Sequence, residues 1–158
     1  MGKVITLALL LFTSAAFGQS ITAKVVRILD GDTMEILYQN KPLMVRLAHI
    51  DCPEKRSSQP FNTNAKKALS DLCFGQQVKV NIENYDRYGR IIATVTNHKN
   101  QIVNQEMIKQ GMAWHFKRYS QSQLYANLEL AARKSKIGLW QNRNPIAPWQ
   151  WRKPKGRN

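Results

Sequence analysis

Short runs of β-branched residues, each of which ends at a turn sequence, constrain the fold of this chain most strongly. The first run covers residues 21–29 and stops at an Asp-Gly-Asp sequence. Residues 33–38 alternate, residues 39–41 form a turn sequence, and residues 43–50 make a third run. Because β-branched residues favour strands while Gly, Asn and Asp favour turns, these runs predict a three-stranded meander.

Two more strands are predicted further along the chain. Val78, Val80 and Ile82 alternate with polar residues, which is the pattern of a strand with one buried face. Residues 88–89 break this run because glycine favours a turn. Residues 91–96 then form a fifth strand, so the sequence supplies enough strands for a small closed sheet.

Three segments between and after these strands predict helices. Residues 64–72 carry apolar side chains on one face, and this helix and the next, residues 103–110, each end close to a glycine. Ser120 is expected to cap a third helix that ends near Gly138. The order of elements predicts a mainly β domain with helices (α+β), in which a closed five-stranded barrel packs against three α-helices.

The N-terminal residues are expected to be an export signal. Lys3 precedes a short apolar run at residues 4–12, and small residues at 16–18 offer a cleavage site. The apolar run is too short to span a bilayer. A buried N-terminal strand is the alternative. We expect residues 1–18 to be removed, leaving a secreted or periplasmic protein with no stable membrane insertion.

The remaining chain has room for one compact domain, which we place at residues 19–141. Residues 142–158 are rich in proline, tryptophan and basic residues and are expected to form an irregular tail. Trp149 and Trp151 are expected to fold this tail back on the barrel; the alternative is that basic residues such as Arg152 extend a strand-binding groove. The oligomeric state is expected to be monomeric.

The chain is strongly basic, which bounds its partners. It has 24 Lys and Arg residues against 10 Asp and Glu residues, for a formal net charge of +14. This excess indicates an anionic partner, either nucleic acid or an acidic surface. Charge alone does not distinguish an enzyme from a binding protein.

The two cysteines, Cys52 and Cys73, are an even pair. In an exported chain such a pair favours a disulfide, and closing this loop would stabilise the fold by about 3 kcal/mol on the chain-entropy model. Two separate buried thiols are the alternative. Metal ligation with histidine is disfavoured because neither His49 nor His98 has zinc-finger spacing.

Carboxylates are scarce in this chain, yet they cluster at the ends of predicted strands. Residues 30–33 read Asp-Gly-Asp-Thr and residues 51–54 read Asp-Cys-Pro-Glu. Arg46 lies between these clusters, and an Asp-Arg-Tyr-Gly-Arg sequence follows at residues 86–90. Hard cations bind carboxylate oxygens, and arginine binds phosphate as a planar fork. The pattern indicates a metal-dependent phosphodiesterase.

With these motifs in this order, the chain resembles the staphylococcal nuclease (thermonuclease) family. The resemblance rests on residues 26–33, 45–54 and 86–90, together with two later helical segments at 103–113 and 131–140. It implies an OB-fold barrel and Ca²⁺-dependent cleavage of DNA and RNA. The implied reaction is an attack of water on phosphorus, which leaves 3′-phosphate ends.

The resemblance also implies roles for individual residues. It assigns the metal to Asp32, Asp51 and the backbone carbonyl of Cys52, and it leaves Asp30 as a turn residue. Glu54 corresponds to the residue that activates water. Arg46 and Arg90 correspond to the phosphate-binding pair. Tyr88 and Tyr119 correspond to nucleotide contacts, and for these two tyrosines simple packing is the alternative.

The chemistry of these residue types agrees with those roles. Ca²⁺ takes six to eight oxygen ligands and accepts waters among them, so two carboxylates and one carbonyl make an open site. A glutamate with an ordinary pKa near 4.3 is ionised at neutral pH, as a base requires. The alternative functions are a barrel that binds nucleic acid without cleaving it, and a cationic protein for acidic envelope surfaces.

Overall fold

The computed structural model describes residues 19–56 and 58–153. The expected signal peptide, residues 1–18, lies outside the described residues, as do residues 154–158 of the tail. Within the described ranges, no helix is both long and apolar enough to cross a membrane.

Five strands close into a barrel, as predicted. Their order around the barrel is β1-β2-β3-β6-β5, and β5 pairs with β1 to close it. The side chains of Ile21, Ala23 and Val25 on β1 point inward in alternation, so a polar outer face covers an apolar interior. The barrel strands are β1 (Ser20–Ile28), β2 (Thr33–Tyr38), β3 (Lys41–Leu47), β5 (Gln77–Tyr85) and β6 (Ile91–Thr96).

The third predicted strand is divided in the structure. β3 ends at Leu47, and a two-residue strand β4 (Ile50–Asp51) follows after His49, whose φ is 67°. β4 leaves the barrel and pairs with β7 (Trp114–His115) in a separate small sheet. A left-handed residue at this point breaks the ladder and turns the chain. The break carries Asp51 away from the barrel wall.

Three helices pack outside the barrel, as predicted. They are α1 (Asn62–Cys73), α2 (Val103–Lys109) and α3 (Gln123–Lys134). The inner face of α1 buries the apolar residues that its sequence spacing indicates, namely Ala65, Ala68, Leu69 and Leu72. Ser120 does not cap α3, which begins after Ser122. The Ser120 hydroxyl instead lies 3.0 Å from Nδ1 of His49 and 3.0 Å from Nε2 of His115.

The described part of the tail packs against the domain, and it contains a short helix where only irregular structure was expected. Residues Pro148–Trp151 form a short helix, α4, which follows a 3₁₀ turn at Gly138–Gln141. The Trp149 ring stacks on Phe116 with ring centroids 5.5 Å apart and an angle of 10° between planes. Proline at the first position of α4 suits a helix start, and the partly buried Trp149 ring holds the helix against the domain.

The predicted disulfide is not present, because Cys52 and Cys73 are both buried free thiols. The Cys73 thiol donates to the carbonyl of Leu69 at 3.2 Å within α1. Cys52 packs over Gly31, where an added Cβ would lie 2.8 Å from the Cys52 Cβ. Each sulfur is therefore held in its own packing contact. Burial raises the pKa of Cys73 to about 12 and that of Cys52 well above the usual thiol value.

Candidate active site

The two acidic clusters open into one cleft of about 1010 Å³ on the surface of the barrel. The ends of β1 and β3, the β4 loop, the β5–β6 hairpin and the tail all contribute to its wall. Every residue that the sequence assigned to metal, catalysis or nucleotide binding lines this cleft: Asp32, Arg46, Asp51, Cys52, Glu54, Tyr88, Arg90 and Tyr119.

Arg46 joins the two clusters. Its guanidinium lies 3.2 Å from Asp32 and 2.9 Å from Asp51, and it donates to the carbonyls of Leu47 and Ile50 at 3.0 Å each. The side chain is nearly buried, and burial alone would lower its pKa; the Asp32 and Asp51 carboxylates outweigh that effect and raise the pKa. A guanidinium held by this many acceptors is fixed in orientation.

Asp32 connects the first acidic turn to the second. Its Oδ2 accepts a 2.7 Å hydrogen bond from the backbone N–H of Cys52, and its Oδ1 accepts from the hydroxyl of Thr33 at 3.2 Å. Asp30 accepts a 3.1 Å hydrogen bond from the backbone N–H of Asp32, which is the turn role expected for it. Burial, together with the charge of the neighbouring Asp32, raises the pKa of Asp30 to about 6.

Gly31 allows this turn to lie close to its neighbours. Its φ is not in the left-handed region, so the turn does not require glycine for its backbone conformation. A Cβ built on Gly31 would instead lie 2.7 Å from the Cβ of Ala65 on α1 and 2.8 Å from that of Cys52. The absence of a side chain therefore permits a close approach between the first acidic turn, α1 and the second acidic loop.

Asp51 is the most buried carboxylate of the site, with 1% of its side chain exposed. Burial raises its pKa to about 6, while the hydrogen bond from Arg152 and the charge of Arg46 oppose the rise. At neutral pH the group is ionised. It is also compensated, because both carboxylate oxygens contact guanidinium groups.

Glu54 stands at the rim of the same cleft. Its backbone N–H donates to the side chain of Gln59 at 2.9 Å, and its carbonyl accepts from the Gln59 N–H at 3.0 Å. The Gln59 side chain also donates to the carbonyl of Ile146 at 2.7 Å, which ties this loop to the tail. The Glu54 carboxylate accepts a hydrogen bond from Arg152. Glu54 is thus positioned by its loop and faces the buried carboxylates.

The β5–β6 hairpin presents Arg90 to the cleft. Asp86 accepts from the backbone N–H groups of Tyr88 (2.9 Å) and Arg90 (3.0 Å), and from Nε of Arg90 at 2.7 Å. Burial would raise the pKa of Asp86, but these hydrogen bonds lower it below its usual value. Only Nε of Arg90 is engaged by Asp86, and 32% of the side chain is exposed. Its outer N–H groups are therefore available to an anion.

The two tyrosines lie at the edge of the cleft, and both are exposed. Tyr88 is 69% exposed and Tyr119 is 70% exposed. The guanidinium of Arg87 lies 4.8 Å from the Tyr88 ring centroid, and Phe116 packs edge-on against Tyr119 at 4.9 Å. Neither tyrosine is part of the core, so both present a ring face or hydroxyl to the solvent side of the cleft.

Arg152 is the residue of this site that the sequence did not assign. Its Nη2 donates to Oδ2 of Asp51 at 2.7 Å and its Nη1 to Oδ1 at 3.3 Å, and Nη1 also contacts Glu54. The sequence signal was only its position among tryptophans and basic residues in the tail. His49 and Glu83 also line the cleft, and His49 Nε2 lies 3.1 Å from Glu83 Oε2, a contact that the sequence did not indicate.

The donor set suits a hard cation that keeps several waters. Asp32 and Asp51 face one guanidinium and belong to loops joined by a hydrogen bond, and the Cys52 carbonyl follows Asp51 directly. Carboxylate and carbonyl oxygens are the ligands that Ca²⁺ and Mg²⁺ prefer. Within residues 19–56 and 58–153, no three His, Cys, Asp or Glu side chains form a ready metal cluster. Water would therefore have to complete the coordination.

Comparison with known proteins shows a consistent match. Residues 44–142 match the family model described as Staphylococcal nuclease homologue. The chain is 46% identical over 153 residues to a protein of Haemophilus influenzae named "Uncharacterized endonuclease", with 95% of this chain and 84% of that protein covered. It is 36% identical over 162 residues to the "Micrococcal nuclease" of Shigella flexneri, with 96% and 91% covered. An "Uncharacterized endonuclease" of Escherichia coli is 37% identical over 155 residues, with 98% and 100% covered.

Proposed function

Since the chain belongs to the staphylococcal nuclease family, whose members are generally metal-dependent nucleases, we propose that it is a Ca²⁺-dependent endonuclease that hydrolyses both DNA and RNA. One observation carries the proposal. The guanidinium of Arg46 contacts Asp32 and Asp51 in the same cleft that Glu54 and Arg90 line. An acidic pair, the Glu54 carboxylate and a second arginine thus line one space large enough for a nucleotide.

Different residues of the cleft have different roles in phosphodiester hydrolysis. Asp32, Asp51 and the Cys52 carbonyl would hold Ca²⁺, which when bound supplies positive charge to a phosphate oxygen. Glu54 accepts a proton from water as the water oxygen bonds to phosphorus. The bond from phosphorus to the 5′ oxygen breaks, that oxygen takes up a proton, and the phosphate stays on the 3′ side.

The two arginines have different freedom to contact phosphate. Arg90 has exposed outer N–H groups and can donate to the phosphate oxygens as negative charge develops on them. Arg46 uses most of its five donors on Asp32, Asp51 and two backbone carbonyls. Arg46 therefore mainly holds the two carboxylates in place and offers few donors to the substrate.

The proposal includes export and a monomeric state. Residues 1–18 have the basic start, apolar run and small-residue site of a signal peptide. Two buried cysteines without a disulfide are compatible with either side of a membrane, so the cysteines do not decide the compartment. The net charge of +14 favours association with nucleic acid at either location.

Replacement of Glu54 tests the reaction directly. Glu54→Gln keeps the size of the side chain and removes the base, so we expect Ca²⁺-dependent cleavage of single-stranded DNA to fall by about 10²- to 10⁴-fold. Binding of DNA is expected to persist. Glu35→Gln is the matched control, because Glu35 pairs with Arg27 at 2.7 Å and does not line the cleft. Full activity in Glu54→Gln would overturn the proposed mechanism.

A further inference from the structure

Arg152 places a positive charge directly on the carboxylates that the proposed function assigns to metal and base. It binds both oxygens of Asp51 and also contacts Glu54. The residue adjoins α4, in the tail, and it is separated from Asp51 by 101 residues in the chain. A side-on guanidinium–carboxylate pair at an Asp that is almost fully buried is a specific contact, unlike a surface ion pair.

The tail is anchored without the help of this ion pair. Ala147 and Pro148 are buried, and Trp149 packs against Phe116 and, at 5.6 Å, against Trp114. The backbone N–H of Arg152 donates to the carbonyl of Pro148 at 3.0 Å, so the residue continues the last turn of α4. The backbone of Arg152 is therefore held at the rim of the cleft wherever its side chain points.

Asp51 cannot keep its present contacts with Arg152 and coordinate a metal ion at the same time. Its Oδ1 accepts from Arg46 at 2.9 Å and from Arg152 at 3.3 Å, and its Oδ2 accepts from Arg152 at 2.7 Å. Any cation that coordinates Asp51 would approach these oxygens within a few ångströms of the Arg152 guanidinium. Like charges at that distance repel each other, and the burial of Asp51 reduces the screening by water on that side of the guanidinium.

The charges in the cleft also indicate that the Arg152 guanidinium and a divalent metal ion exclude each other. Asp32, Asp51 and Glu54 carry three negative charges, and the arginines that contact them, Arg46 and Arg152, carry two positive charges. Without metal the group is close to neutral, so the buried carboxylates are compensated. A divalent cation would make the group positive unless Arg152 withdrew.

We propose that Arg152 is a built-in competitor for the metal site: its guanidinium occupies Asp51 and Glu54 when no metal is bound, and a divalent cation must displace it from Asp51 to bind. The tail then sets the metal affinity of the nuclease and positions Asp51 and Glu54 until the metal arrives. This inference rests on the proposed metal site. It gives the anchored tail a role that the barrel and the catalytic residues do not explain.

Calorimetric titration of CaCl₂ into the purified protein tests the competition. In Arg152→Gln, Ca²⁺ should bind at least about fivefold more tightly than in the wild type, which is the lower end of typical coupling between two ligands. A merely structural role for Arg152 would leave the affinity unchanged or weaken it. Arg143→Gln is the matched control, because Arg143 is exposed, lies in the same segment and does not line the cleft. Removing that charge should change the affinity by less than about twofold, since a distant exposed charge is screened by salt.

A second measurement uses the unmodified protein, so that it does not depend on the folding of a variant. The side-chain N–H signals of Arg152, assigned in a ¹⁵N-labelled sample by comparison with Arg152→Lys, should shift as Ca²⁺ is added. The shift should saturate together with the calorimetric binding curve. Arg152 signals that stay in place while Ca²⁺ binds would overturn the proposal.

These outcomes separate the inference from the proposed function. If the wild type cleaves DNA with Ca²⁺ and Arg152→Gln binds Ca²⁺ no more tightly, the competition is refuted and the nuclease stands. If neither protein binds a divalent cation nor cleaves DNA with one, the proposed function is refuted and the inference with it. If Arg152→Gln binds Ca²⁺ more tightly than the wild type does, the result supports both the competition and the proposed metal site.

Discussion

The carboxylate of Asp32 accepts a 2.7 Å hydrogen bond from the backbone N–H of Cys52, 20 residues further along the chain. This contact joins the two acidic loops, which the sequence shows only as separate clusters. Because a charge-assisted hydrogen bond is shorter and stronger than a neutral one, it holds the second loop in a fixed position relative to the first. A contact within the protein therefore fixes the positions of the two acidic clusters relative to each other.

Loss of the Arg46 guanidinium should destabilise the protein strongly. In Arg46→Ala, Asp51 would remain buried with one of its two arginine partners removed, and Asp32 would lose its ion pair. Breaking a buried pair in this way costs about 3–5 kcal/mol in the free energy of unfolding. Urea unfolding at neutral pH, monitored by tryptophan fluorescence, measures the loss.

An exposed pair on the barrel is the control for this prediction. Arg27 contacts Glu35 at 2.7 Å, but its side chain is largely exposed. Arg27→Ala should therefore cost no more than about 1 kcal/mol. Equal losses in Arg46→Ala and Arg27→Ala would contradict the buried electrostatic network described for the cleft.

The cysteines should be present as thiols that react only after unfolding. Burial raises the pKa of Cys73 to about 12 and that of Cys52 well above its usual value, so neither forms the reactive thiolate near pH 8. An aromatic disulfide reagent should titrate no thiol in the native protein and both thiols in guanidinium chloride without reductant. If denaturation released no thiol, the two residues would be joined in a disulfide after all.

Glu83 should make part of the stability dependent on pH. The hydrogen bond from His49 lowers the pKa of Glu83 below 4.5, against the effect of burial. The unfolded state then binds more protons than the folded state in this range. The contribution of Glu83 to stability is present above pH 4.5 and is lost as the pH falls through the lower folded-state pKa.

Urea unfolding of the wild type and Glu83→Gln between neutral pH and pH 3 checks this direction. The side chain is 37% exposed, so solvent screening keeps the effect below about 1 kcal/mol. The wild type should be the more stable of the two at neutral pH, and the difference should shrink on acidification below pH 4.5. A difference that grows as the pH falls would have the wrong sign.

The sequence predicted the barrel because the barrel follows from local patterns, whereas the roles of the site residues came from the resemblance to the family, and the structure brings those residues to one cleft. Alternation fixes which residues of β1 face inward, and turn residues fix where the strands end, so Asp32 falls in a turn, while Asp51 ends the short strand β4. The break between β3 and β4 was missed because it depends on the left-handed conformation of His49, which is uncommon for any residue other than glycine.

Arg152 could not be found by the same reasoning. Its contact with Asp51 spans 101 residues and exists only because Trp149 stacks on Phe116 and carries the end of α4 to the cleft. No periodic pattern encodes a contact of that kind. The prediction of a disulfide was wrong for a related reason. The number of cysteines does not indicate which neighbours their sulfur atoms pack against.

Digestion of nucleic acid by the purified protein is the most direct test of the proposed nuclease activity. Single-stranded DNA, duplex DNA and RNA would each be incubated with Ca²⁺, with Mg²⁺ and with chelator, and the product ends identified by mass spectrometry. We expect that DNA and RNA are both degraded with Ca²⁺, that chelator stops the reaction, and that the products carry 3′-phosphates. Binding of all three nucleic acids with no cleavage under any metal would contradict it and would leave the barrel as a binding module.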